Sequence, residues 1–218
     1  MAQKILKAVL MLLSITIVAW TATAAFTPGQ SIFIALAGML VTIPLVLVGR
    51  RLIDREPTVE RAQQVTTWMH FVFGIFVASS LVAAVRYVTA GSHPALPVPP
   101  WLGLAIMLAG SVVVLMVMGN LALKGRGAPF AVALTRPVAV EWFYAWTRNP
   151  MVLAGTAGLL GLGLYLRSGL FLLFVALIFV PIVIAFLTLF EERELEIRFG
   201  QEYLDYKART PGFIPRRP

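Results

Sequence analysis

Two adjacent carboxylates, Glu191 and Glu192, end a long uncharged run, Ser168–Phe190. Behind them Leu195, Phe199, Tyr203 and Tyr206 recur at steps of four, four and three, which is one face of a continuing helix. Acids beside an aromatic face make a half-buried polar site, able to hydrogen-bond a ligand's hydroxyl pair or ammonium. The bland alternative is a solvated helix surface with Arg193 and Arg198 as partners. Glu191 lies four residues before Leu195 and shares its apolar face, so Glu191 is expected in the pocket and Glu192 at its rim. Glu194 and Glu196 are expected to be solvated. Upstream, Arg148-Asn149-Pro150-Met151 opens an apolar run. Asn as helix cap and Pro in the first turn explain this without a ligand. The same helix start also offers free N–H groups and a positive field to a ligand carboxylate. Arg148 could pair with that group, or orient an acceptor carboxylate. Gly125 and Gly127 lie in Gly125-Arg126-Gly127-Ala128-Pro129, where small residues let a ligand approach the backbone. A helix stop with a Gly-Pro turn reads equally from those residues.

The elements that carry these groups are membrane spans. The chain has 218 residues, of which 59% are hydrophobic and 13% charged, and its mean hydropathy is +0.86. A soluble domain carries about 25% charged residues. The fold class is therefore all-α integral membrane, a single domain 1–218 with about six spans: 8–26, 31–49, 66–85, 101–123, 151–166 and 169–190. The tail 191–215 completes the site. Residues 8–26 after Lys4 and Lys7 resemble a signal peptide, and cleavage there would leave five spans. Their length favours a retained span. Thr27-Pro28-Gly29-Gln30 reads as a tight turn, Pro44 as a kink, and Arg50–Val65 as a polar connector. With both termini cytoplasmic, every Lys and Arg of the 18 except Arg86 and Arg167 falls on the cytoplasmic side, a strong positive-inside bias. The net charge of +8 sits in loops and ends, which implies an anionic membrane surface as partner and not nucleic acid. The chain has no cysteine, and His70 and His93 lack carboxylates at ligand spacing, so no metal is expected. Gly155, Gly158, Gly161 and Gly163 thin the fifth span, which favours close helix packing over ligand approach.

The pattern Arg-Asn-Pro-Met, an apolar hairpin, Glu-Glu, Phe-Gly, Tyr-x-x-Tyr and a closing Phe-Ile-Pro resembles the isoprenylcysteine carboxyl methyltransferase family. Related phospholipid methyltransferases share much of it, and the likeness covers about residues 119–215. The resemblance implies a methyltransferase dependent on S-adenosylmethionine, acting on a lipid-like or prenylated acceptor within the bilayer. Acceptor chemistry stays open among carboxylate, amine and hydroxyl. It implies Arg148 and Glu191 as catalytic residues. The cofactor set it implies is Gly125, Gly127, Tyr144, Asn149, Pro150, Met151, Gly155, Glu191, Glu192, Tyr203 and Tyr206. The chain departs from the family pattern at Trp142 and Phe143, where Gly-Pro precede the Tyr, and at Val152 and Ala154, with Gly155 one step late. Trp142, Phe143 and Trp146 read also as interface aromatics. A nicotinamide-dependent reductase of the sterol reductase type is the alternative enzyme, and a non-catalytic membrane scaffold the alternative of another class.

Overall fold

The computed structural model describes residues 2–123 and 140–216. The helices are α1 (Ala2–Thr23), α2 (Pro28–Arg55), α3 (Val59–Ala90), α4 (Pro100–Leu123), α5 (Phe143–Trp146), α6 (Pro150–Tyr165), α7 (Gly169–Phe199) and α8 (Gln201–Arg209). Among the described residues there is no strand, and Ala95 and Ser168 form an isolated antiparallel bridge. Five helices, α1 to α4 and α7, are long and apolar enough to cross a membrane. The chain is thus an all-α, multi-pass membrane protein. The expected short fifth span is α6, whose 16 residues fall below the roughly 20 needed to cross a hydrocarbon core.

Three sequence expectations change at element ends. Thr27–Gln30 is the start of α2, not a free turn: the Thr27 side chain accepts from the Gln30 amide, and the Gln30 side chain answers the Thr27 amide. That reciprocal pairing is a capping box, with Pro28 in the first turn. The polar connector is also mostly helical. No breaker lies between Arg50 and Arg55, so α2 runs on, and α3 already begins at Val59 under a Thr58 cap. Lastly, the helix after Glu191 does not continue to Tyr206. It stops at Gly200, whose backbone sits at φ 54° and ψ −129°, a conformation open to glycine. Leu195, Phe199, Tyr203 and Tyr206 still cluster, so the aromatic face survives across the break.

The core joins α2, α3 and α7, with Met39, Val46 and Ile53 facing Phe73, Phe171 and Phe190. Phe73 and Phe186 stack at 4.1 Å between ring centres. Within α7 two stretches are π-helical, Val175–Phe179 and Phe186–Glu191. A π turn takes one residue more than an α turn and is frequent at functional sites. On the other flank α4 and α6 run antiparallel at close range. A Cβ on Gly103 would meet the Tyr165 backbone at 2.2 Å, and one on Gly161 the Met107 backbone at 2.5 Å. These glycines are the small faces that let helices touch in a membrane. Gly155 is different: a side chain there would meet nothing.

The two cations left out of the basic majority have structural roles. Arg86 donates to the carbonyls of Ala22 and Ala24 and lies over the Phe26 ring, tying α1 to α3. Arg167 donates to the Leu96 carbonyl at 2.8 Å and holds the loop before α4 against the α6–α7 turn.

Candidate functional site

The site forms where the start of α6, the end of α7 and α8 meet. The segment Thr147–Asn149 is held by the tail through backbone and side chain alike. The Arg148 amide donates to the Pro211 carbonyl at 2.9 Å, and the Thr147 hydroxyl to the Gly212 carbonyl at 2.7 Å. Asn149 stands at the cap position of α6, but its side chain makes no cap bond. It donates instead to the Gly212 carbonyl at 3.0 Å, so the capping expectation gives way to a tertiary tie. Gly212 keeps this contact close: a Cβ there would stand 3.2 Å from the Arg148 guanidinium, which would have to give by a few tenths of an ångström.

So fixed, Arg148 reaches α7. Its Nη1 lies 2.7 Å from Glu192 Oε1, with 13% and 12% of the two side chains exposed. The same nitrogen donates to the Tyr203 hydroxyl at 3.3 Å. Glu192 Oε2 is held in turn by Lys207 of α8 at 2.7 Å, and Lys207 also binds Glu196 at 2.9 Å. Two ionisable side chains are incompletely matched beside this network. Arg148 Nε is buried without a hydrogen-bond partner. Glu191, half-buried, has no ion pair or hydrogen bond among the described residues.

The expected division of labour between the acids is therefore reversed in part. Glu192 is no rim residue; it is buried and doubly paired. Glu191 closes a π turn, and the α-helix that carries Glu192 to Leu195 starts directly after it. Nor is Glu194 solvated. Its side chain is 2% exposed and pairs with Arg198 at 2.7 Å. Arg193 turns away from the acids of the site toward Asp54 of α2, at 2.8 Å.

The phenols line the same place. Tyr206 donates its hydroxyl to the Tyr144 carbonyl at 2.7 Å, which fastens α8 to α5. Burial, then the Glu191 charge, pushes the Tyr144 hydroxyl well above the ordinary phenol range. Burial, then Glu192, does the same to Tyr203, and burial followed by the two neighbouring phenols to Tyr206. All three remain neutral hydroxyls, so they are suited to hydrogen bonding and not to taking a proton. Lys207 is held above its usual range: burial works against its charge, but Glu192 and Glu196 outweigh it.

The fold thus brings together Tyr144, Arg148, Asn149, Glu191, Glu192, Tyr203 and Tyr206. Pro150 is buried in the first turn of α6, with Met151 half-buried behind it. Gly155 lies one turn further along α6 and faces open space. Gly125 and Gly127 lie outside the described residues. Sequence reading missed Lys207, Thr147 and Gly212. A lysine four residues beyond an aromatic is an ordinary helix residue, and nothing local links it to an acid 15 positions earlier.

Residues 98–202 match the family model of phospholipid methyltransferases. This match shows the family likeness over that segment and implies methyltransferase activity in general. No curated protein and no solved structure matches the chain.

Proposed function

We propose, from the phospholipid methyltransferase match over residues 98–202, that this membrane protein transfers a methyl group from S-adenosylmethionine to a lipid-like acceptor in the bilayer. The observation that supports it best is the unmatched Glu191 beside the Arg148–Glu192 pair. A protein buries charged groups without partners only at a cost, and such groups mark places where a ligand supplies the missing partner. The cofactor offers groups of both signs and a diol, which the residues present fit. Glu191 can accept from an ammonium or a ribose diol, and the free Nε of Arg148 can donate to a carboxylate. Tyr144 and Tyr203 supply neutral hydroxyls, and Asn149, Pro150 and Met151 form the start of the helix against which the ligand would lie. Gly155 leaves room beside it, and Gly125 and Gly127 are retained as backbone contacts.

S-adenosylmethionine supplies a methyl group already activated on a sulfonium. The protein's part is alignment and exclusion of water, which need few acid–base groups. Arg148 and Glu191 are the residues placed to orient the reactants. The acceptor, whether carboxylate, amine or hydroxyl, would enter sideways from the bilayer. Calorimetry on the purified protein in detergent tests the assignment. S-adenosylhomocysteine should bind in the micromolar range, about −8 kcal/mol, and NADPH should not. Binding of NADPH alone would make the protein a reductase.

The same reading sets the chain as one domain with both termini cytoplasmic and the tail completing the site, next to an anionic lipid surface. Reporter fusions at residues 60, 140 and 210 should score cytoplasmic, and those near 93 and 168 external. An external score at 140 would take the site out of the cofactor's compartment.

A further inference from the structure

We propose that Arg50 and Asp54 of α2 are positioning residues for Glu191 and Glu192, acting on the turn that carries these acids and on no ligand directly. The proposal rests on the reading of the two acids as ligand-binding groups. Arg50 Nη1 donates to the Leu189 carbonyl at 2.9 Å, and Asp54 Oδ1 accepts from Arg193 Nε at 2.8 Å. Leu189 and Arg193 bracket the acids, one two residues before Glu191 and the other directly after Glu192. The two clamp residues are themselves joined, Arg50 Nε to Asp54 Oδ2, at 2.5 Å. A single helix end therefore grips both flanks of the acid turn.

What it grips is the π-helical stretch Phe186–Glu191. Such a turn is wider than an α turn and has poorer hydrogen-bond geometry. Relaxing to α-helix would remove one residue from the turn and swing whatever follows by about 100°. That swing would carry Glu192 off Arg148. Side chains lodged on both sides of the turn oppose it, with Phe190 seated in the core as a third point. A second path closes the circuit. Arg193 also meets Glu196 at 3.5 Å, Glu196 shares Lys207 at 2.9 Å, and Lys207 returns to Glu192 at 2.7 Å. Charges alternate in sign along the whole route from Arg50 to Arg148. Both clamp residues lie outside the segment 98–202 that carries the family match. The amino-terminal helices thereby gain a role in the site beyond spanning the bilayer.

The rival view is a partly exposed surface ion pair of no consequence, since Arg50 and Asp54 are 37% and 39% exposed. Full-length protein in detergent, as parent, Asp54→Asn, Arg50→Gln, Arg193→Gln and the Asp54→Asn/Arg193→Gln double variant, separates the two. Arg51→Gln removes an equal charge from an exposed position of α2 and serves as control. Two quantities are read: amide hydrogen exchange over residues 186–193 without ligand, and affinity for S-adenosylhomocysteine. The clamp variants should exchange faster over that stretch and bind about two- to fivefold more weakly, with thermal unfolding near the parent's. The double variant should lose less than the sum of the Asp54→Asn and Arg193→Gln losses, because Asp54 acts through Arg193. Exchange unchanged by Asp54→Asn and Arg50→Gln overturns the proposal, as does an equal effect of Arg51→Gln. Faster exchange with parent-like affinity also overturns it, leaving a structural tie only. Additive losses in the double variant overturn action through Arg193. A parent that binds no S-adenosylhomocysteine sinks the proposed cofactor instead, and the exchange data still decide the clamp.

Discussion

Two ion pairs of equal length lie two residues apart on α7, and they behave as opposites. Glu194 and Arg198 pair at 2.7 Å within one helix, four residues apart, with 2% and 5% exposed. Glu192 and Arg148 also pair at 2.7 Å, but across 44 positions of sequence and with more of each side chain reachable. The first pair lies within one helix and buries a charge that would otherwise be stranded. The second gathers three segments, shares its acid with Lys207 and its base with Tyr203, and leaves Arg148 Nε unsatisfied next to Glu191, which has no ion pair or hydrogen bond among the described residues. Proximity and burial alone therefore do not mark a ligand site on this helix. Incomplete matching of charge does.

That contrast is broken most forcefully at Glu194. Removing one partner of a buried pair strands the other, so Glu194→Gln should cost about 3 kcal/mol or more in unfolding measurements in detergent. Replacing both partners, Glu194→Leu with Arg198→Leu, should recover most of that loss. A Glu194→Gln variant that unfolds like the parent would erase the difference drawn between the pairs. At the other pair the effects should be on binding. Glu191→Gln should weaken S-adenosylhomocysteine by roughly 10- to 100-fold, about 1.5–3 kcal/mol, with little change in unfolding because no partner among the described residues is lost. Arg148→Gln should lower both affinity and stability, since Glu192 and Tyr203 lose a contact. Glu202→Gln, exposed on α8, sets the floor, with a change within about 0.5 kcal/mol. Parent-like binding by Glu191→Gln would return the double acid to an ordinary helix surface.

Much of this arrangement was legible from residue types. Runs free of charge locate the long helices, because lipid admits little else. The Arg148 segment and the two acids could be singled out because each sits where an apolar run starts or stops. The stop at Gly200 was passed over, because the aromatic spacing from Leu195 to Tyr206 keeps helical period across the break. The π turn was not legible either. Phe186, Leu187, Thr188, Leu189 and Phe190 would serve an α turn equally well, and the Phe73 ring and the Arg50 bond that meet this stretch come from distant helices. The fate of Glu194 was hidden for a related reason: an i,i+4 acid–base pair looks alike on a wet face and against α3. Lys207 and Asp54 gained their roles only from segments far away in the chain.

The shortness of α6 has a consequence for depth. Sixteen residues rise about 24 Å, some 6 Å less than a hydrocarbon slab of about 30 Å. One end of α6 is tethered near the surface, where Ser168 bridges Ala95 and Arg167 holds Leu96. The shortfall must then appear at the opposite end, which carries Arg148. With the Arg167 end at the headgroups, as the proposed topology has it, the charged cluster would lie below the plane of the opposite headgroups. A lipid would need to sink its polar end by a few ångströms to meet it, a much smaller displacement than lifting a whole molecule out of the membrane.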